Sequence, residues 1–155
     1  MNPLGIYIHI PYCLHKCGYC DFNSHPENQE ESEVYVPALL LEIEHYAQKL
    51  APQTVPTVFF GGGTPTLLPP ASLDKILGKV KQHFNLSADC EITIEANPAT
   101  IKQETLEQIR SSGFNRISIG VQSFDLDELK LLERVHDIEE IHSTVDRARL
   151  AGFDN

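Results

Sequence analysis

The sequence of 155 residues has no tryptophan, a single methionine and few basic side chains. Its 12 lysines and arginines face 22 aspartates and glutamates, so the formal net charge is −10, and the basic residues form no run. Phosphate backbones are bound by clustered Lys and Arg side chains. The composition therefore argues against a protein that binds nucleic acid.

Long apolar stretches are also missing. No segment approaches the roughly 20 apolar residues that span a bilayer, and residues 1–5 lack the charged and apolar regions of a signal peptide. We expect a cytoplasmic protein without a transmembrane segment. The apolar fraction of 41% is enough for a core, and the length suits one domain or a piece of one.

The four cysteines are unevenly distributed. Cys13, Cys17 and Cys20 lie within eight positions, whereas Cys90 follows seventy residues later. A secreted disulfide framework would be short and more evenly spaced, so clustered thiolates in a reducing compartment indicate a metal site. Cys90 begins an apolar strand pattern and is expected to be a small buried hydrophobic residue.

Strand and helix patterns alternate along the chain. Strands are predicted at residues 5–10, 55–60, 91–96 and 116–121, and helices at 31–50, 73–84, 101–113 and 126–150, the last with a break near Asp137. Ser72 and Asp125 are predicted N-caps, Thr100 with Gln103 fits a capping box, and Gly113 is the expected helix-ending glycine. This series of βα units predicts an α/β fold in which helices pack outside a parallel sheet.

The strands alternate between apolar and polar side chains. In the first strand Ile6, Ile8 and Ile10 share one face, and Tyr7 and His9 share the other. Such alternation is unusual in a parallel strand that is buried on both faces. It favours a barrel or partial barrel with a polar lumen over a flat doubly wound sheet, with the chemistry at the C-terminal ends of the strands.

The last five residues repeat an earlier pattern. Residues 151–155 resemble residues 112–116, which open the fourth predicted strand. The sequence therefore ends where a fifth strand is expected, and a closed α/β barrel needs roughly 200 residues or more. We expect residues 1–155 to form an incomplete core domain, with the remaining strands and a C-terminal domain absent.

The cysteine motif follows the first strand directly. Cys13, Cys17 and Cys20 form a C-x₃-C-x₂-C run after Pro11. Three thiolates on one short loop can bind three irons of a cubane cluster, which leaves the fourth iron open to another molecule. The alternative is a zinc site made by the three cysteines with His9 or His15.

Several segments together resemble one family, the coproporphyrinogen III oxidase-like branch of the radical SAM proteins. The resemblance covers the chain from the first strand to its end, and it rests on Tyr7-Ile8-His9-Ile10-Pro11-Tyr12-Cys13, the cysteine run with Tyr19 before its last cysteine, Gly61-Gly62-Gly63-Thr64-Pro65-Thr66, Glu95-Ala96-Asn97-Pro98 and Gly120-Val121-Gln122-Ser123. It implies the N-terminal part of a radical SAM partial (β/α) barrel that carries a [4Fe–4S] cluster and binds and reductively cleaves S-adenosylmethionine (SAM).

The resemblance also implies a role for each matching residue. Cys13, Cys17 and Cys20 would ligate the cluster. Contacts to SAM, or to a second molecule bound in the lumen, would come from Tyr7, Tyr19, Gly62, Gly63, Thr64, Glu95, Gln122 and Arg134. Judged from the residues alone, Glu95 could instead be a solvated strand end and Arg134 a surface arginine. His136 and His142 are expected on the surface, and the role of His9 stays open.

The position of Phe22 separates two subgroups within this branch. The oxygen-independent oxidases, which decarboxylate propionate side chains of coproporphyrinogen III, carry a fourth cysteine two residues after the last cluster cysteine, where this chain has Phe22. A phenylalanine there is similar to the heme chaperones, which bind SAM and heme and pass heme to acceptor proteins. We therefore expect a heme chaperone with an electron donor and heme-acceptor partners, and heme-binding residues beyond Asn155. The decarboxylating oxidase and a structural zinc module are the alternatives.

Overall fold

The structure, a computed structural model, describes residues 3–155, apart from the side chains of residues 29 and 99. Residues 1 and 2, which belong to the N-terminal segment expected not to be a signal peptide, lie outside the described residues. The strands are β1 (Gly5–Ile10), β2 (Tyr12–Cys13), β3 (His25–Pro26), β4 (Thr54–Gly62), β5 (Asn85–Ala96) and β6 (Arg116–Ile119). The helices are α1 (Gln29–Lys49), α2 (Pro70–His83), α3 (Gln103–Ser112), α4 (Leu126–Leu131) and α5 (Ile138–Leu150), with 3₁₀ turns at Pro65–Leu67 and Pro98–Thr100.

The main sheet confirms the predicted α/β architecture. Four parallel strands pair in the order β1-β4-β5-β6 and form part of a barrel. The register sets Ile10 beside Gly62 and Glu95 beside Ser118, so the C-terminal ends of the strands meet at one edge. The predicted further strands and C-terminal domain stay a prediction.

The alternating side chains of β1 divide core from lumen as expected. Ile8 and Ile10 are buried against the helix layer, while Tyr7 on the opposite face is 57% exposed. Phe60 of β4 meets Phe114 edge to face, with 4.9 Å between the ring centroids. Burying each such apolar side chain stabilises the fold by about 1.5–3 kcal/mol. Cys90 is buried in this same core, as the sequence predicts.

Three helices begin differently from the prediction, and the first of them, α1, starts at Gln29 rather than at residue 31. Helix α2 starts at Pro70 rather than after Ser72, because the fixed φ of proline suits the first helical position. The predicted capping box at Thr100 is also wrong, since α3 is preceded by Lys102 without a side-chain cap. The Thr100 hydroxyl instead donates to the carbonyl of Asn97 at 3.0 Å and closes a 3₁₀ turn.

The last two helices agree with the sequence. Asp125 caps α4 by accepting from the backbone of Asp127 and Glu128, and the predicted break falls before Asp137, which caps α5 in a reciprocal box with Glu140. Gly113 takes the left-handed conformation, with φ of 112°, as a helix-ending glycine does.

Among the described residues, the edge of β6 that faces away from β5 makes a backbone contact with the end of the chain. The amide of Ile117 donates to the carbonyl of Asn155 at 3.0 Å. Asn155 belongs to residues 151–155, whose resemblance to residues 112–116 predicts the start of another strand. No helix within the described residues is long and apolar enough to cross a membrane.

Candidate functional site

A cavity of about 760 Å³ lies at the C-terminal ends of the strands. Its walls come from the loop after β1, the glycine turn after β4, the ends of β5 and β6, and the loop before α5. Most of the residues singled out by the sequence line it, namely Cys13, Cys17, Tyr19, Cys20, Gly62, Gly63, Thr64, Glu95, Gln122 and Arg134. Tyr7 is the member of the predicted set that does not line the cavity.

The cysteine loop, residues 13–24, carries three free thiols. Cys17 is buried, and Cys13 and Cys20 are partly exposed. The short strands β2 and β3 close the base of the loop, where the amide of Glu27 donates to the carbonyl of Cys13 at 2.8 Å. This pairing was not predicted, because strands of two residues leave no periodic pattern. It presents the three thiols from one compact segment.

The glycine turn lies directly against this loop. A Cβ on Gly63 would come 2.4 Å from the Tyr12 carbonyl oxygen and 3.0 Å from the Cys13 sulfur, so only glycine fits there. The amides of Gly63 and Thr64 donate to the carbonyls of Ile10 and Tyr12. Close backbone contact with β2 therefore explains the glycine, and bare backbone is brought beside a cysteine.

Arg134 reaches the cysteine loop from the opposite side. Its Nη2 donates to the Gly120 carbonyl at 3.0 Å, and its Nη1 lies 3.7 Å from the Cys17 sulfur. The Nε is buried and has no hydrogen-bond partner among the described residues. Arg134 is thus a partly buried cation in the cavity wall, and the alternative of a surface arginine is wrong.

Glu133, next to Arg134, was missed by the sequence analysis. Its carboxylate accepts from the Gly18 amide at 2.9 Å and lies 3.4 Å from Nε2 of His15. The Gly18 hydrogen bond, followed by the His15 contact, lowers the pKa of this carboxyl. The backbone of Glu133 has a φ of 53°, which is uncommon for a residue other than glycine. Glu133 therefore joins the loop before α5 to the cysteine loop.

Glu95 forms part of the lumen wall. Its carboxylate accepts from the Gly62 amide at 3.2 Å. Burial raises the pKa of Glu95, while that hydrogen bond opposes the change. Burial and the nearby charge of Glu95 raise the pKa of Tyr7, which lies on the same lumen face.

His9, whose role the sequence left open, connects the lumen to the cysteine loop. Its Nε2 donates to the Asn23 carbonyl at 2.8 Å, which leaves Nδ1 to accept from the Tyr7 hydroxyl at 3.1 Å. Both ring nitrogens are engaged within the protein. A zinc site that used His9 would have to break these bonds.

His136 corrects the sequence-based expectation of a surface residue. It is 4% exposed, with Nε2 at 3.0 Å from the Val121 carbonyl and Nδ1 at 3.2 Å from Oδ1 of Asn97. Burial lowers the pKa of this imidazole. The ring joins the ends of β5 and β6 beside Gln122, whose φ of 69° is left-handed. His142 is exposed, as expected.

The donor set consists of three free thiols on one short loop. No three His, Cys, Asp or Glu side chains in the described part of the chain converge closely enough to hold one metal ion. Tetrahedral zinc needs such convergence. In a cubane cluster each thiolate binds a different iron, so the ligands lie farther apart. Such a cluster would be held by Cys13, Cys17 and Cys20, three free thiols on one short loop beside bare glycine backbone.

Fold and site together define a partial α/β barrel with a three-cysteine loop at the C-terminal edge of its strands. The family model of the radical SAM superfamily matches residues 7–155. The chain therefore belongs to the radical SAM superfamily, as the motifs predict. Proteins of this superfamily use a [4Fe–4S] cluster and SAM.

Two types of protein stand among the relatives that this chain resembles. The heme chaperone HemW of Escherichia coli is 44% identical over 141 residues, covering 90% of this chain and 37% of the relative. The oxygen-independent coproporphyrinogen III oxidase of the same organism is 38% identical over 153 residues, covering 98% and 34%. The solved structure of the Escherichia coli oxidase HemN, a radical SAM enzyme, superposes with a TM-score of 0.89 at 37% identity, covering 98% of this chain and 35% of that one. The chain thus spans little more than a third of these relatives.

Proposed function

We propose that this chain binds a [4Fe–4S] cluster on Cys13, Cys17 and Cys20, binds SAM beside it, and belongs to a heme chaperone. The observation that carries the proposal is the cavity itself. It joins three free thiols, the Gly63 backbone and the Arg134 guanidinium in one space of about 760 Å³.

The walls of this cavity suit the different parts of SAM. Arg134 supplies a positive charge for a carboxylate, because guanidinium groups bind carboxylates well. Glu95, on another wall, supplies a carboxylate for an ammonium or sulfonium group, and the ring of Tyr19, 49% exposed, offers a face for the adenine. Gly62, Gly63 and Thr64 would add backbone and hydroxyl contacts, with Gln122 opposite. A bound cluster would supply the electron that cleaves SAM, and these residues would orient the SAM molecule.

Phe22 favours the chaperone over the oxidase. It lines the mouth of the cavity and is 71% exposed, at the position where the resemblance places the fourth cysteine of the oxidases. Identity does not separate the two, because heme chaperones match this chain at 37–44% and the Escherichia coli oxidase at 38%. The decarboxylating oxidase is the second candidate, and the TM-score of 0.89 to its solved structure favours it.

We further propose a cytoplasmic protein that is served by an electron donor and passes heme to acceptor proteins. All four cysteines are free, which suits a reducing compartment. Heme would be bound jointly with segments beyond Asn155, and residues 1–155 would form the cluster-bearing part of a larger domain.

One pair of assays separates the two functions. The full-length protein, including the segments beyond Asn155, is reconstituted anaerobically and mixed with SAM and heme. Heme binding is followed by absorbance. A second sample receives SAM, dithionite and coproporphyrinogen III, and is analysed for 5′-deoxyadenosine and decarboxylated porphyrin. Stoichiometric heme binding without decarboxylation supports the chaperone. Decarboxylation coupled to 5′-deoxyadenosine would establish the oxidase, and neither activity would refute both.

A further inference from the structure

Lys16 lies inside the cysteine loop, between two of the predicted cluster ligands. Its Nζ donates to the Phe22 carbonyl at 2.6 Å and to the Ser24 hydroxyl at 3.0 Å, and lies 3.9 Å from the Cys20 sulfur. An ammonium group has three N–H donors. Three acceptors on the same loop therefore use its whole donor capacity.

These contacts tie the two halves of the loop together. They span Lys16 to Ser24 and enclose Cys17 and Cys20. Other bonds that begin and end within this stretch are short-range, from the Cys20 amide to the Cys17 carbonyl and from the Ser24 amide and hydroxyl to the Phe22 carbonyl. Because a hydrogen bond to a charged group is stronger than a neutral one, the ammonium adds order to this segment, beside the contacts of Gly18 with Glu133 and of Asn23 with His9.

The charge of Lys16 also lies beside a sulfur. Arg134 approaches the Cys17 sulfur at 3.7 Å and Lys16 approaches that of Cys20 at 3.9 Å, while the Cys13 sulfur faces the backbone of Gly63. Net charge and hydrogen bonds to the sulfurs set the reduction potential of an iron–sulfur cluster. A nearby cation favours the reduced, more negative state.

We propose that Lys16 is a positioning residue that orders the cysteine loop before the cluster binds and raises the reduction potential of the bound cluster. The second half rests on the proposed function, since it needs a cluster. The first half concerns the chain alone. Glutamine at position 16 would lose both the charge and the three-way contact. Arginine would keep the charge but not the tetrahedral donor geometry.

The test compares wild type, Lys16→Gln and Lys16→Arg with Lys75→Gln, which makes the same charge change at an exposed position on α2. In the cluster-free full chain, we expect the Cys20 and Ser24 amides to exchange about tenfold faster in Lys16→Gln, the effect of losing one charge-assisted hydrogen bond. In the reconstituted chain, spectroelectrochemistry should give a more negative potential in Lys16→Gln, and a potential near that of wild type in Lys16→Arg. Lys75→Gln should match wild type in both.

Unchanged exchange and an unchanged potential in Lys16→Gln would overturn the proposal. If Lys16→Gln takes up no cluster, faster exchange confined to residues 17–24 supports the ordering role, and unchanged exchange refutes it. A wild-type chain that binds no iron would overturn the proposed function and the potential together. The exchange data would still decide whether Lys16 orders the loop, so the two failures are distinguishable.

Discussion

Replacing Gly63 by alanine tests the packing that brings the glycine turn against the cysteine loop. The new Cβ would lie 2.4 Å from the carbonyl oxygen and 2.8 Å from the carbonyl carbon of Tyr12, distances that real Cβ atoms do not show. Tyr12 is 2% exposed and its strand pairs with β3, so it has little room to move. Overpacking of this kind costs about 1–3 kcal/mol. The displaced strand includes Cys13, so cluster binding should weaken as well.

Gly78→Ala is the matched control. A Cβ at Gly78, within α2, meets nothing within 4 Å, and alanine is favoured over glycine inside a helix by about 0.5–1 kcal/mol. Urea unfolding of the cluster-free chain should therefore show Gly63→Ala less stable, and Gly78→Ala more stable, than wild type. Iron uptake after anaerobic reconstitution should fall only in Gly63→Ala. A Gly63→Ala chain with wild-type stability and iron content would refute this account of the turn.

Two further predictions concern the residues before α5. Arg134→Gln should weaken SAM binding at least about tenfold, which is the usual loss when a charge-assisted hydrogen bond is removed. Calorimetry on the reconstituted protein measures this, with the exposed Arg149→Gln as a control that should bind SAM as wild type does. Equal affinities of Arg134→Gln and wild type would contradict the role of Arg134. Burial lowers the pKa of His136, so the unfolded chain takes up the proton more readily. Stability should hold above the ordinary histidine pKa of about 6.5 and fall as the pH drops below it. As the pH drops below about 6.5, the urea concentration at the unfolding midpoint should fall less for His136→Gln than for wild type. Parallel plots of midpoint against pH for the two proteins would refute this role of His136.

Local features of this chain could be predicted from its sequence. The alternation of Ile8 and Ile10 with Tyr7 fixes which face of β1 is buried, and the bounds of β1 agree with the prediction. Asp125 caps α4 as predicted, and the break falls near Asp137 as predicted, because a capping carboxylate needs only the next few amides. The cysteine and glycine runs follow strands directly, so a parallel sheet brings them to one edge.

Long-range contacts could not be predicted in this way. Glu133 accepts from the amide of Gly18, which lies 115 positions away in the chain. Its backbone is left-handed, and because glutamate seldom adopts that conformation, the residue type gives no indication of it. The burial of His136 comes from the ends of β5 and β6, 39 and 15 positions away in the chain, and residues near the histidine do not indicate those contacts. The predicted start of α2 at residue 73 is wrong because Ser72 is a good cap by type, while Pro70 begins the helix three residues earlier.

The measurement that tests the central claim most directly is the iron and sulfide content of the anaerobically reconstituted chain, with its visible spectrum. Wild type and Cys90→Ser, which changes a buried cysteine of the core, should each bind about four irons and show the broad absorbance of a cluster. Cys17→Ser should lose both the iron and the absorbance. One zinc per chain with no iron, or a Cys17→Ser chain that keeps the full cluster, would contradict the account.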